Sequence, residues 1–337
     1  MKAIALRGGF GLEHLVLEDR PVPECGPTQI LLRVRAVSLN ARDLMMARGE
    51  YNPRQPLPLV LCSDAVGEVV ARGEAATLFA EGERVCPIFA GLWQQGRLDK
   101  NSQRSALGGP QEGTLREFIA VEESAAVRAP AHLSDLEAAC LPCAGVTAYR
   151  ALIELGQIGA GDHVVCIGTG GVSLFGARIA RAVGAKVILL SRSAEKLVRA
   201  EPLGLALAVN TSEKPEWWKA VRLATDGEGA RHVLELGGAG TFEQSLRAVA
   251  MGGTVSVIGV LSGPKTEIDL RPILMQDIRV QGVFVGSRDT FEQFTKLVDE
   301  SGLRPDVDRV FSLSEARAAF EHLASGKQFG KVVIQLE

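Results

Sequence analysis

Three glycines between two apolar segments are the residues of this chain whose spacing most clearly predicts chemistry. Gly168, Gly170 and Gly171 directly follow the apolar run 164–167, and a helical pattern begins after them. Glycine backbone can approach a bound group closely, and the N–H groups at a helix N-terminus attract negative charge. A plain glycine turn is the alternative, and the flanking elements favour binding of a dinucleotide pyrophosphate over it. The expected contact residues are Gly168, Thr169, Gly170, Gly171 and Val172.

The elements on either side of this turn must position it. The run 164–167 has no polar alternation, which is typical of a parallel strand buried on both faces. A second apolar run, 186–190, completes a strand–helix–strand unit. Ser173 stands where such motifs carry a third glycine, and its small side chain still permits close packing of the helix on the strand. One helix face is predicted by apolar side chains at helical spacing, namely Phe175, Ile179, Ala182 and Val183.

The residues that follow the second apolar run indicate which dinucleotide binds. NAD-binding sites usually carry Asp or Glu about 20 residues after the glycines, where the carboxylate accepts a hydrogen bond from the ribose 2′-hydroxyl. This chain instead has Ser191, Arg192 and Ser193. Because a guanidinium can bind a phosphate through two parallel hydrogen bonds, these residues predict NADPH as the cofactor. The alternative is that Arg192 is only a solvated surface charge.

The composition is that of a globular protein large enough for two domains. The chain has 337 residues, of which 46% are hydrophobic and 23% are charged, and its formal net charge is −3. This charge gives no reason to expect nucleic acid or an anionic membrane as a partner. We expect neither a membrane-spanning helix nor a signal peptide, because no apolar stretch is long enough. Six cysteines in mainly apolar surroundings favour a reducing compartment, so we expect a cytoplasmic location.

The order of predicted elements divides the chain into three regions. Residues 1–125 contain short strand-like runs separated by Pro and Gly clusters, which predicts a β-rich domain. Residues 126–287 alternate short apolar strands with helices, which predicts an α/β domain with a parallel sheet. Residues 288–337 predict two helices and a last strand that could return to the first domain.

Residues 91–113 form a long polar segment that contains glycines and has no periodicity. Loops of this length are uncommon, and they often act as lids or contact partners. The other interpretation of the same composition is a disordered excursion on the surface.

Four motifs distributed along the chain resemble those of the medium-chain dehydrogenase/reductase superfamily. They are 36–49 (AVSLNARDLMMARG), 57–70 (LPLVLCSDAVGEVV), 141–152 (LPCAGVTAYRAL) and the dinucleotide turn 168–173. The resemblance implies a GroES-like, β-rich catalytic domain over residues 1–125, completed by residues 288–337. It also implies a Rossmann domain with a doubly wound parallel sheet over residues 126–287, and an NAD(P)-dependent oxidoreductase activity.

The catalytic zinc ligands of alcohol dehydrogenases in this superfamily are largely replaced. Those enzymes carry Cys at the position of Asn40 and Gly-His-Glu at the positions of Cys62, Ser63 and Asp64, and Cys143 matches their third ligand. Asn and Ser are poor zinc ligands, whereas a catalytic zinc needs about three protein N, S or O donors. We therefore expect no metal. The alternative is a remnant metal site formed by Cys62, Asp64 and Cys143.

Two further cysteine patterns bear on metal binding or redox chemistry. The structural zinc lobe of the superfamily uses four closely spaced cysteines, and the corresponding segment 91–113 contains none. Cys140 and Cys143 form a CxxC pair in an apolar segment that begins a helix. We interpret them as small buried hydrophobic residues rather than as a redox centre.

The departures from the zinc pattern resemble the zinc-free, quinone-oxidoreductase-like branch, whose members transfer hydride from NADPH to quinones, enones or enoyl thioesters. Such a reaction needs a hydrogen-bond donor for the carbonyl oxygen and a proton source. Tyr51 follows Gly49 and Glu50 at the position where related enoyl thioester reductases place a proton-donating Tyr. Asn40 is expected to orient the substrate carbonyl or the nicotinamide amide. The alternative for Tyr51 is a loop residue that stacks beside Pro53.

The resemblance adds further expected contacts with the cofactor. Thr147 matches a residue near the nicotinamide, and Lys331 matches a cation near the pyrophosphate. Lys196 could add positive charge near the 2′-phosphate, or it could be a solvated helix residue. The strand ends where the nicotinamide ribose would pass carry Gly237, Gly259 and Val260.

Three functions are compatible with these residues. The first, which we expect, is NADPH-dependent reduction of a small-molecule quinone, enone or other activated alkene without zinc. The second is an alcohol dehydrogenase or carbonyl reductase activity of the same superfamily, and the third is non-enzymatic binding of NADPH. Because apolar strands at 254–260 and 279–285 would leave an open sheet edge, we also expect a homodimer that joins two such edges.

Overall fold

The computed structural model describes all residues from Met1 to Glu337, and the chain divides into two units. The first unit comprises Met1–Val146 and Gly286–Glu337, and the second comprises Thr147–Val285. The sequence pattern instead predicts boundaries at 125/126 and 287/288. The first boundary lies further along the chain because the segment just after residue 125 still forms a strand in the sheet of the first unit.

Sixteen strands form the sheets of the two units. In chain order they are β1 (Lys2–Leu6), β2 (Leu15–Asp19), β3 (Gln29–Leu39), β4 (Leu59–Val60), β5 (Asp64–Arg72), β6 (Arg84–Pro87), β7 (Phe118–Glu122), β8 (Ala126–Arg128), β9 (His163–Ile167), β10 (Lys186–Ser191), β11 (Leu207–Asn210), β12 (Ala230–Glu235), β13 (Val249–Val257), β14 (Arg279–Gly282), β15 (Val307–Ser312) and β16 (Lys331–Gln335).

Eleven α-helices connect these strands, and no helix is both long and apolar enough to cross a membrane. In chain order they are α1 (Ala41–Ala47), α2 (Lys100–Arg104), α3 (Asp135–Ala138), α4 (Val146–Tyr149), α5 (Gly171–Ala182), α6 (Ala194–Arg199), α7 (Trp217–Ala224), α8 (Phe242–Ala248), α9 (Arg271–Met275), α10 (Arg288–Ser301) and α11 (Ala316–Ala324).

The main sheet of the first unit is built around the long strand β3. This strand pairs antiparallel with β5, β7 and β16, and the strand order is β15-β16-β3-β5-β6-β8. A smaller sheet has the order β2-β1-β4. Because β16 pairs with β3, the last strand returns to the first unit as expected, and it places Val332 opposite Leu39.

The second unit contains a six-stranded sheet in which all neighbours are parallel. Its strand order is β11-β10-β9-β12-β13-β14. Counted within the unit this is the order 3-2-1-4-5-6 of a Rossmann sheet. The predicted doubly wound sheet is thus confirmed. The order reverses between β9 and β12, and ligands bind beside the carboxyl ends of strands at such a reversal.

Helix α5 packs on this sheet through the face that begins at Ser173. Ser173 is fully buried, and its hydroxyl donates to the carbonyl of Ile167 at 2.5 Å, so it ties the helix to the end of β9. Phe175 and Ile179 are buried as the spacing predicts, whereas Ala182 is exposed. The helix ends at Ala182, and the last turn no longer faces the core.

Residues 91–113 are folded rather than a disordered excursion. The segment contains α2, and the side chain of Asp99 caps this helix by accepting a hydrogen bond from the N–H of Ser102 at 2.7 Å. Trp93 is buried in the first unit. The guanidinium of Arg42 donates to the carbonyls of Leu107 and Gly109 at 2.6 and 2.7 Å. A loop without apolar periodicity is therefore fixed by one capped helix, one aromatic anchor and one arginine.

A buried carboxylate holds the turn that follows β12. Glu235, the last residue of that strand, has no exposed surface. It accepts hydrogen bonds from the N–H groups of Gly237 and Gly238 at 2.8 and 2.9 Å. The hydroxyls of Thr241, at 2.5 Å, and Ser245 also donate to it. Four donors thus converge on one carboxylate, which offsets the cost of burying its charge.

Replacement of Glu235 by Gln should lower the stability of the protein. A Gln side chain has a single acceptor oxygen, and its NH₂ group would face other donors. The free energy of unfolding should therefore fall by about 1–3 kcal/mol. The matched control is Glu243→Gln, because Glu243 is exposed and pairs only at the surface with Arg247, and its effect should stay below about 0.5 kcal/mol. Urea unfolding measures both, and equal effects would contradict the role of Glu235.

Candidate functional site

Four charged side chains are buried within the first unit. Asp43 and Asp64 have no exposed surface, and Arg42 and Lys331 are 8% and 3% exposed. Arg42 lies 3.4 Å from an oxygen of Asp43, and Nζ of Lys331 lies 3.6 Å from Oδ2 of Asp64. Each carboxylate therefore has a cation beside it, as buried charges require. We call these four residues together with Asn40 the polar cluster.

Asn40 connects the two ion pairs of the polar cluster. It precedes α1, and its backbone N–H donates to Oδ2 of Asp43 at 2.8 Å. Its side-chain Oδ1 accepts a hydrogen bond from Nζ of Lys331 at 2.5 Å, and the same ammonium donates to the carbonyl of Leu39 at 2.9 Å. Nδ2 of Asn40 is buried and has no hydrogen-bond partner. The structure thus brings together Asn40 and Lys331, which the sequence assigned to different roles.

Asp64 is held by donors from three neighbouring segments. The hydroxyls of Ser63 and Ser38 donate to it at 2.8 and 3.3 Å, and the backbone N–H of Cys143 donates at 3.3 Å. Its position relative to Lys331 is consequently fixed from several sides.

Burial changes the protonation of several groups in this region. Burial raises the pKa of Asp43 to about 6, although the neighbouring Arg42 charge opposes this increase. Burial also raises the pKa of the Cys62 and Cys143 thiols, and the negative charges of Asp43 and Asp64 add to the effect. All six cysteines are free, and burial raises the pKa of Cys140 to about 12. The thiols of Cys62, Cys140 and Cys143 are therefore neutral, and Cys62 and Cys140 are packed like small apolar side chains.

The residues at the zinc-ligand positions do not fit a catalytic zinc. The oxygen of Asn40 accepts from an ammonium, and the hydroxyl of Ser63 donates to Asp64. Lys331 thus already places a positive charge beside Asn40 and Asp64. In the whole chain no group of three or more His, Cys, Asp or Glu side chains has the arrangement needed to hold a metal ion. The remnant site of Cys62, Asp64 and Cys143 is not among such groups.

Tyr51 lies in the loop that follows α1 and is 43% exposed. The guanidinium carbon of Arg42 lies 5.0 Å from the centroid of the Tyr51 ring and 5.1 Å from that of Phe89. A cation above an aromatic ring restrains both groups. The Tyr51 ring is therefore positioned by a member of the polar cluster, while much of the residue remains accessible.

In the second unit, the turn after β9 leaves open space above its backbone. Gly168 has a φ of +83°, and a Cβ built on Gly168 or Gly170 would meet no atom within 4 Å. Gly171 and Val172 begin α5, so their N–H groups have no acceptor within the helix. Thr169, between Gly168 and Gly170, is buried. The N–H groups of Gly171 and Val172, beneath this open space, fit the pyrophosphate of a dinucleotide.

The end of β10 carries the residues expected at the adenosine ribose. Ser191 is buried, and its hydroxyl accepts a hydrogen bond from the N–H of Ser193 at 3.1 Å. The hydroxyl of Ser193 caps α6 by accepting from the N–H of Lys196 at 3.3 Å. Arg192 between them is exposed. The strand thus ends in a turn without a carboxylate, and Arg192 faces the solvent.

The other expected cofactor contacts lie in different surroundings. Thr147 is 3% exposed and Val260 is 38% exposed. Gly259 packs against backbone, since a Cβ there would lie 2.6 Å from the carbonyl of Leu236. Lys331 belongs to the polar cluster of the first unit. The cofactor roles of these residues stay predictions. The sequence analysis assigned no role to Glu235. A charged residue at the end of the apolar run before Gly237 could have indicated that this side chain is buried and supports the turn.

Comparisons with known proteins place this geometry in a family. Residues 26–131 match the alcohol dehydrogenase GroES-like domain, and residues 171–300 match the zinc-binding dehydrogenase family. The chain is 34% identical to a zinc-type alcohol dehydrogenase-like protein of Schizosaccharomyces pombe, over 97% of this chain and 96% of the relative. It is 28% identical to acryloyl-coenzyme A reductase of Metallosphaera sedula, over 99% of each chain.

Two solved structures share the fold over nearly the whole chain. A structure of NAD-dependent alcohol dehydrogenase has a TM-score of 0.92 and 33% identity, with both chains fully covered. A structure of the 2-octenoyl-CoA carboxylase reductase CinF in complex with NADP and 2-octenoyl-CoA has a TM-score of 0.87 and 25% identity, covering 99% of this chain and 87% of that one. The chain therefore belongs to the medium-chain dehydrogenase/reductase superfamily, and it is an NAD(P)-dependent oxidoreductase.

Proposed function

We propose that this protein is an NADPH-dependent reductase that transfers hydride to a quinone, enone or other activated alkene without zinc. The observation that carries the proposal is the set of hydrogen bonds made by Asn40 and Ser63. Asn40 and Ser63 stand where zinc-type members carry metal ligands, and both are hydrogen-bonded to charged neighbours. Stabilisation of a carbonyl oxygen must then come from N–H and O–H donors. The similarity to acryloyl-coenzyme A reductase supports an activated alkene as the acceptor.

In the proposed reaction, the β-carbon of the activated double bond receives a hydride, which NADPH would supply when it is held at the turn after β9. The electron pair of the C=C bond then moves toward the carbonyl oxygen, where negative charge develops. Asn40 donates a hydrogen bond to this oxygen, and Tyr51 donates a proton to the α-carbon. Because Tyr51 is 43% exposed, water can restore its proton. The product thus carries one hydride and one proton more than the substrate.

The proposal predicts turnover by metal-free protein. NADPH oxidation should be observed with a benzoquinone, an α,β-unsaturated ketone or an enoyl thioester, and added zinc should not change the rate. A simple aldehyde should react much more slowly, because it has no conjugated double bond. The assay follows the absorbance of NADPH after treatment of the protein with a chelator. Turnover only of an aldehyde or alcohol, and only with added zinc, would contradict the proposal.

The preference for NADPH over NADH rests on the end of β10. Arg192 is exposed there, and none of the residues Ser191, Arg192 and Ser193 is acidic. A guanidinium binds a 2′-phosphate strongly, whereas a ribose 2′-hydroxyl gains little from it. The NADP in the CinF structure supports the same choice, while the name of the NAD-dependent relative represents the alternative.

Arg192→Gln should therefore weaken the binding of NADPH much more than the binding of NADH. Loss of a hydrogen bond to a charged group costs about 1.5–3 kcal/mol, so the Kd for NADPH should rise roughly ten- to a hundredfold. The Kd for NADH should change little. Arg231→Gln is the matched control, because Arg231 is exposed near the opposite, amino end of β12. Fluorescence titration measures both constants, and a parallel rise for the two cofactors would contradict the assignment.

We also propose a homodimer that forms through the edge of the second unit's sheet. Strand β14 is the last strand in the order of that sheet. Apolar side chains in the segment 261–275, which precedes this strand in the chain, are highly exposed, with values of 71% for Leu261, 64% for Leu270, 80% for Leu274 and 74% for Met275. Apolar patches of this kind mark interaction sites, and pairing would also cover the open strand edge.

The dimer predicts a molar mass in solution of twice 35.9 kDa. Replacement of Leu274 and Met275 together by Glu should place charge on the apolar surface and shift the protein to the monomer. Val198→Glu is the control, because Val198 on α6 is 61% exposed and this helix packs on β10 and β11, at the other end of the strand order. Light scattering coupled to size exclusion measures the mass. A monomeric mass for the unaltered protein would contradict the proposed dimer.

A cytoplasmic location is part of the same proposal. The six free cysteines support it, because a reducing compartment keeps thiols in this state.

A further inference from the structure

The contact between Lys331 and Asn40 determines which atom of the Asn40 amide faces a ligand. An ammonium group has three donors and no acceptor, so the atom 2.5 Å from Nζ of Lys331 must be the oxygen. The NH₂ group of Asn40 consequently points away from Lys331. It is a buried donor without any partner in the protein. Such a group calls for an acceptor that the protein itself does not provide.

Lys331 cannot easily leave this position. It is the first residue of β16, and its neighbour Val332 is paired with Leu39 in β3. Its ammonium donates to the carbonyl of Leu39 at 2.9 Å and lies 3.6 Å from Asp64. The side chain is only 3% exposed. A fixed backbone register, a backbone acceptor and a buried counter-charge thus hold the ammonium against Asn40.

We propose that Lys331 replaces the catalytic metal of the zinc-type relatives as a fixed positive charge that acts through Asn40. Lys331 is a positioning residue: it fixes the orientation of the amide and polarises its N–H bonds. Asn40 is the catalytic residue, and its Nδ2 donates to the carbonyl oxygen of the acceptor. The inference deepens the proposed function and rests on it for the identity of the acceptor. It also differs from the expectation that Lys331 contacts the cofactor pyrophosphate.

Kinetics of single and double variants test this dependence. Asn40→Ala should lower kcat by roughly a hundred- to a thousandfold, as expected when one donor to a developing oxyanion is lost. Asn40→Asp should be similarly slow, because it keeps the acceptor for Lys331 and lacks the donor. Lys331→Met should lower kcat to a smaller extent, and Lys331→Arg should restore most of it. The Kd for NADPH should stay unchanged in all four variants.

The double variant distinguishes a positioning role from an independent one. If Lys331 acts only through Asn40, then Lys331→Met combined with Asn40→Ala should be no slower than Asn40→Ala alone. Multiplied losses would overturn the proposal. A raised Kd for NADPH in Lys331→Met with normal kcat would also overturn it and would assign Lys331 to the cofactor. Since Lys331→Met leaves Asp64 without its cation, Lys331→Met with Asp64→Asn serves as a second, charge-balanced variant.

A spectroscopic readout separates this inference from the proposed function. The chain contains four asparagines, so selective ¹⁵N labelling of Asn gives four side-chain NH₂ signals, and Asn40→Asp identifies the one from Asn40. Lys331→Met should move the Asn40 signal and leave the other three in place. Lack of any shift would overturn the positioning role even if the enzyme reduces enones. A shift of the Asn40 signal without turnover of any acceptor would leave Lys331 as the group that fixes Asn40, and would reject only the proposed reaction.

Discussion

Charge balance inside the first unit is the constraint on which the rest of the site depends. Asp43 and Asp64 are fully buried, and each would cost several kcal/mol if it stood there without a counter-charge. Arg42 and Lys331 supply the two positive charges, and each of these cations also positions a neighbouring side chain of the site. Arg42 restrains the Tyr51 ring and the carbonyls of the 91–113 segment, while Lys331 fixes the amide of Asn40. The positions of both proposed catalytic groups are therefore consequences of ion pairing.

In the second unit the candidate cofactor contacts are mainly backbone N–H groups rather than charged side chains. Its strand order reverses between β9 and β12, so the glycine turns after these two strands end at the same edge of the sheet. The turn after β9 is short, since Gly168 adopts a positive φ and α5 begins at Gly171, and its one side-chain contact with the strand end comes from Ser173. The turn after β12 depends on Glu235, whose carboxylate binds two of its N–H groups. A missing third glycine is tolerated because Ser173 bonds to the end of the strand.

The sequence could predict those parts of the protein that local patterns determine. Apolar runs and glycines indicated the parallel sheet and the nucleotide turn. A strand that is buried on both faces requires a continuous apolar run, and a positive φ favours glycine. The contact between Lys331 and Asn40 could not be predicted in this way. These residues are 291 positions apart, and only the pairing of β16 with β3 brings them together. The ordered fold of residues 91–113 could likewise not be predicted, because Arg42, which stabilises it, lies outside the segment.

The proposed exchange of a metal for an ammonium also limits the chemistry of the site. A zinc ion binds a substrate oxygen directly and lowers its pKa, which is what removal of hydride from an alcohol requires. The Lys331 ammonium is buried and donates to Leu39 and Asn40 beside the carboxylate of Asp64, so in the proposed reaction it acts on the substrate only through the amide N–H of Asn40. Such a donor stabilises negative charge that has moved onto a carbonyl oxygen, but it does not generate an alkoxide. Under the proposed function, the substrates are therefore those in which conjugation itself delivers the charge to the oxygen, such as quinones, enones and enoyl thioesters.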